Sequence, residues 1–159
     1  MAFRCETVPL PQPRVQQEIK MTLYTKELYI GANANTIQDN PFGSNHLLGS
    51  IMGVADWPVT VGSDPSATVV GHLRGTYCQV SVSRYVWHFS FGLMFEDTWL
   101  NGSTLALSGT TSGIDGEWSI VGGTGQLNMA TGTVKRRTIV EDGGSRVSEL
   151  KIHAYYTPM

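Results

Sequence analysis

The chain has 159 residues, 41% of them hydrophobic, and a net charge of −2. That suffices for one domain with its own core, rules out disorder as the default and, without a basic run, gives a nucleic-acid surface no support. Two cysteines are too few for a disulfide scaffold, and no apolar stretch approaches the roughly 20 residues of a membrane helix.

Residues 1 to 18 are polar and spaced by Pro9, Pro11 and Pro13, which predicts an extended N-terminal arm ahead of a single domain at 19–159. The opening Met-Ala-Phe-Arg-Cys-Glu has no apolar h-region. The expected location is cytoplasmic or nuclear, with secretion only if a leader was removed before this numbering. Cys5 and Cys78 are then expected as free thiols.

From Lys20 to Tyr29 the side chains alternate, and Glu27 shares a face with Met21 and Leu23. A carboxylate on an apolar face is costly unless it is paired or lines a wet cavity. The alternative is that this face points outward and Glu27 is exposed. A long polar loop is expected over 31–44, then a nearly continuous apolar strand over 46–55 that Asp56-Trp57-Pro58 closes. Residues 59–66 read as a turn, and 68–81 as a candidate strand pair interrupted at Gly71 and Gly75.

The clearest strand is Phe89, Phe91, Leu93 and Phe95, alternating with smaller or polar residues. Asn101-Gly102 is expected to turn it into a partner strand from Thr104, because Asn and Gly tolerate the positive φ of tight hairpins. Asn101-Gly102-Ser103 also fits a glycosylation pattern, but hairpin chemistry is the stronger reading. Gly122-Gly123-Thr124-Gly125 lacks the spacing of a phosphate loop and reads as a β-corner leading to a strand over 126–130. The last hairpin, 135–141 with 147–156, turns at Asp142-Gly143-Gly144. No window keeps a period of 3.6 for three turns. Many short strands, with eighteen glycines and seven prolines, imply an all-β barrel or sandwich.

Chemistry is fainter. Trp99 and Trp118 are expected at strand ends beside Asp97 and Glu117, and Asp115 lies close in sequence. Aromatic faces beside carboxylates can hold a sugar; the alternative is core tryptophan with surface acids. The four histidines have no metal-ligand spacing, and no Gly-x-Ser-x-Gly elbow occurs, so no metal, cofactor or catalytic residue is expected.

Several segments together resemble the dirigent family of plants. They are Val-Thr-Val-Gly-Ser-Asp-Pro-Ser at 59–66, Val-Gly-His-Leu-Arg-Gly at 70–75 and Phe-Glu-Asp-Thr-Trp-Leu-Asn-Gly-Ser-Thr-Leu at 95–105. Ile-Val-Gly-Gly-Thr-Gly at 120–125 and Met-Ala-Thr-Gly at 129–132 complete the set, in family order. The resemblance implies an eight-stranded antiparallel barrel, a homotrimer and a cavity in each barrel. Typical members capture phenoxy radicals made by a separate oxidase and steer their coupling into one lignan stereoisomer. Their cavity uses acids and an Arg on a quinone-methide intermediate.

In this chain Lys26-Glu27 stands where the family has His-Asp, Asp115 is retained, and Gly116 takes the Arg position. The missing leader is similar to grass proteins in which a dirigent-like domain precedes a jacalin-related lectin domain. The resulting expectation is a non-catalytic defence module that binds a carbohydrate or related polyhydroxylated ligand through Glu27, Asp97, Trp99, Asp115 and Trp118. The rival expectations are a working dirigent protein and a trimerising scaffold for an attached lectin.

Overall fold

The computed structural model describes residues 15–43 and 47–158. Nine strands follow one another: β1 (Gln17–Leu28), β2 (Thr36–Asp39), β3 (Met52–Thr60), β4 (Val69–Gln79), β5 (Trp87–Phe95), β6 (Thr104–Thr111), β7 (Gly116–Thr124), β8 (Thr131–Glu141) and β9 (Ser145–Tyr156). From β2 onward each pairs antiparallel with the next strand in the chain, β9 pairs with β1, and β1 meets β3 to close an eight-stranded barrel. β2 lies outside that ring as a short strip on β3. Closure shortens the free edges of the sheet, and among the described residues 17–23 of β1 pair only with β9.

The seam is narrow, because β1 and β3 pair only through Tyr24 with Thr60 and Thr25 with Val59. Beyond that point Asn35 holds the two strands together. Its amide donates to the Lys26 carbonyl and accepts from the Leu28 N–H, while its backbone carbonyl accepts from the Asp56 N–H. Pro58 lies two residues on, so its missing N–H faces the same open side and no ladder bond is lost. This is why Asp56-Trp57-Pro58, expected to end a strand, lies inside one. The strand expected from residue 46 begins at Met52, and His46 is outside the described residues.

Period-two alternation fills the barrel. Phe89, Phe91, Leu93 and Phe95 point inward from β5, Leu105 and Leu107 from β6, and Leu150, Ile152, Ala154 and Tyr156 from β9. Residues 68–81 supply one strand rather than two, since glycine at 71 and 75 interrupts nothing in an extended ladder. Residues 126–130 are not a strand. Gly125–Leu127 form a 3₁₀ turn that drops Leu127 into the barrel's end, and β8 starts at Thr131. The β5–β6 connection runs from residue 96 to 103 and is wider than a two-residue Asn-Gly hairpin: Gly102 has φ +78°, but Thr98 also sits at +76°. The polar loop over 31–44 contains β2. The last hairpin turns at 142–144, where the Asp142 carboxylate accepts from the backbone N–H groups of Gly144 and Ser145. The predicted arm is outside the described residues over 1–14, and Gln17 and Glu18 already belong to β1.

Candidate functional site

Strand direction divides the barrel. β1 and β8 end, and β3, β5, β7 and β9 begin, at the same end, and there the inward side chains become polar. On β1 the inward series Leu23, Thr25, Glu27 finishes with a carboxylate that is 1% exposed. On β9 the series from Leu150 runs back through Ser148 to Arg146, and on β8 Val134 is followed by Arg136. A buried carboxylate stays only if its partners are complete. Here they are. The Glu27 Oε1 accepts from Arg136 Nη2 and, at 3.3 Å, from the Ser148 hydroxyl. The Oε2 accepts from the Tyr29 hydroxyl at 2.6 Å and from Arg146 Nη1 at 3.2 Å.

Each guanidinium is held from several sides. Arg136 also donates to Ser148 Oγ and to the Ile114 carbonyl, each at 3.3 Å. Its carbon lies 5.2 Å from the Trp57 ring centre and 5.7 Å from that of Trp118, within cation–π range. Arg146 donates to the Tyr29 hydroxyl and to the Glu141 carboxylate at the rim. Burial disfavours the charge on Arg146, but Glu141 and Glu27 outweigh it and raise the basicity of Arg146. Burial, with Glu27 close by, pushes the Tyr29 phenol well above its ordinary value.

These groups form one wall of a cavity of about 380 Å³. The other walls are Trp57, Tyr77, Trp87 and Phe89, with Ile51 and Ile114. The aromatic rings brace one another: Tyr77 lies 6.0 Å from both Trp87 and Phe89, and Trp57 lies 5.1 Å from Phe91. The Trp57 indole donates to Thr36 Oγ1 at 2.8 Å, which fixes its ring from β2. Gly53 lies directly opposite Tyr77 on the ladder, and a Cβ there would stand 2.3 Å from that ring. The Tyr77 oxygen accepts from Gln38, so its own proton can be donated to a guest. Burial raises the Tyr77 phenol and keeps that proton on. The site can stack a flat aromatic guest and offer it hydroxyl and guanidinium donors.

Of the predicted site residues, only Glu27 lines this cavity. Trp118 is not at a strand end. It lies within β7, fully buried against Phe89 and Phe91 behind Arg136, where the absence of a side chain at Gly109 makes room for its ring. Asp97 and Trp99 sit in the β5–β6 loop at the opposite end of the barrel. Asp97 caps the Thr98 N–H at 2.7 Å, and Trp99 is 62% exposed. Asp115 is at the cavity end but turned away, its carboxylate accepting from the N–H and hydroxyl of Thr138.

The absence of Arg at Gly116 does not leave the cavity without a planar cation, because β8 and β9 supply two. Both were readable in principle. The period that puts Leu150, Ile152 and Ala154 inside also puts Arg146 there, and an inward Arg calls for an inward acid.

The family profile described as Dirigent-like protein matches residues 18–155. Dirigent protein 1 of Arabidopsis thaliana is 32% identical over 114 residues, covering 70% of this chain and 62% of that protein. Dirigent protein 11 of the same plant is 25% identical over 138 residues, covering 84% and 72%. Among solved structures, the pterocarpan synthase dirigent protein GePTS1 superposes with a TM-score of 0.81 at 23% identity, covering 93% of this chain and 90% of its own. The pterocarpan synthase dirigent protein PsPTS1 gives 0.79 at 22%, covering 90% and 97%. At these identities the structural likeness establishes the barrel.

Proposed function

The chain belongs to the dirigent-like family, and from that premise we propose that its barrel holds a small phenolic guest and steers the stereochemistry of its coupling. A separate oxidase makes the radical, and the protein supplies only the mould. One observation carries this: a single cavity joins aromatic walls to a buried Glu27 whose carboxylate is held by Arg136 and Arg146. Flat walls fix the plane of a ring, and donors on one side fix which edge faces them. Together they leave one face of the guest open to a second reactant.

The saturation of Glu27 supports steering over proton transfer. A carboxylate has about four lone-pair directions, and four donors occupy them. A base with no free lone pair takes no proton from a guest. The carbohydrate reading needs Asp97, Trp99, Asp115 and Trp118 to converge with Glu27, and they do not.

The test is oxidative coupling of a panel of phenylpropanoid phenols, coniferyl alcohol and ferulate among them, with and without equimolar protein, followed by chiral chromatography. An enantiomeric excess with at least one substrate is the expected result. Racemic products throughout, together with heat on titration with wall sugars, would return the carbohydrate reading.

A further inference from the structure

The charges lining the cavity do not balance within it. Arg136 and Arg146 are 1% and 9% exposed, and they share one buried carboxylate, Glu27. The second carboxylate on Arg146 belongs to Glu141, which is 50% exposed. The two acids hold equivalent positions on either side of β9. Glu27 is directly opposite Arg146 on β1, and Glu141 is directly opposite it on β8. Directly opposed residues share a face, so both acids reach the same guanidinium.

The two pairs differ in what each acid has as an alternative. Glu27 is sealed in protein. Glu141 has water, and a half-exposed ion pair contributes little. Arg146 itself lines the cavity, beside Gly143 at its mouth, and its Nε–H is buried without a partner. If Glu141 turns to solvent, Arg146 keeps an unused pair of donors and an uncompensated charge facing an aromatic chamber.

We propose that this chamber, on the phenolic reading above, selects aromatic guests that carry a carboxylate, and that the guest's carboxylate docks on Arg146 where Glu141 now sits. The ring lies against Trp57, Tyr77 and Trp87. Glu141 is an internal competitor that must be displaced, so it sets how tightly an acid binds. A guest that ends in a neutral alcohol leaves Glu141 in place and gains nothing from Arg146.

The experiment is calorimetric titration at neutral pH with a matched pair of probes, 4-hydroxycinnamate and 4-hydroxycinnamyl alcohol, on the wild-type chain and on Glu141→Gln. The acid is expected to bind about ten-fold tighter than the alcohol, the margin of a charge-assisted hydrogen bond over a neutral one. Glu141→Gln is expected to widen the acid-to-alcohol ratio by a further two- to five-fold, roughly the worth of an exposed pair. Because Glu141 is half exposed, that variant keeps the fold. Equal binding of the two probes overturns the inference and leaves the phenolic reading standing. An acid preference that Glu141→Gln does not move places the carboxylate elsewhere and overturns the role of Arg146. No heat from either probe overturns both readings.

Discussion

The two ends of the barrel are built by the same alternation and come to opposite results. At one end the inward positions hold Phe95, Leu105 and Ala130, and two connections plug the opening: Leu127 from the 3₁₀ turn, fully buried, and Leu100 from the β5–β6 loop. Hydrogen bonds from backbone N–H groups secure the plug. The Gln126 N–H donates to Ser103 Oγ at 3.0 Å, and the Thr157 N–H donates to the Asn128 carbonyl at 2.9 Å. At the other end the inward positions hold Glu27, Arg136, Arg146 and Ser148, and the connections leave a chamber. An eight-stranded barrel is just wide enough for side chains to fill. Whether an end becomes core or cavity depends on what the loops drop into it. The apolar end carries stability, and the polar end gives up packing to keep a site.

The contrast can be broken most severely at Glu27. Glu27→Ala leaves two buried guanidiniums without their shared acid and is expected to cost about 3–5 kcal/mol in urea unfolding, with loss of guest binding. At the plugged end Leu127→Ala is expected to cost about 3 kcal/mol through the cavity it opens. Its calorimetric affinity for the same guest should match that of the wild type, because Leu127 does not line the chamber. A fall in affinity equal to that of Glu27→Ala would show that the ends are coupled.

A smaller effect sharpens the polar end. Tyr29 has its phenol raised in the folded state by burial and by Glu27. Its contribution is therefore complete below the unfolded value near 10 and is lost as pH rises above that. Unfolding midpoints across that range should fall more steeply for the wild type than for Tyr29→Phe. The smallest effect is expected at Trp99, 62% exposed on the far loop. Trp99→Ala should move stability by no more than about 0.5 kcal/mol and leave binding unchanged.

Trp99 and Trp118 show how a site can be misread. Each stands beside or near an acid in the chain, but adjacency in sequence is not convergence in space. In a strand, neighbours point to opposite faces, so Glu117 beside Trp118 is on the other side of the sheet. In a long hairpin, a loop residue goes to whichever end its strand reaches, and β5 carries Asp97 and Trp99 away from the chamber. Glu27 was found because a charge on an apolar face demands an explanation. Arg136 and Arg146 answer that demand, and the same reasoning applied to β8 and β9 would have reached them.

The sequence by itself determined that the chain is all β, where the strongest strands run, where the last hairpin turns, and that Glu27 shares a face with Met21 and Leu23. Those are local matters, set by period-two burial and by turn chemistry within a few residues. Only the tertiary structure decided that Glu27 meets Arg136 and Arg146, more than a hundred residues away along the chain, and that one end is plugged while the other is open. Ladder register and loop placement set those pairings, and they arise from closing the ring.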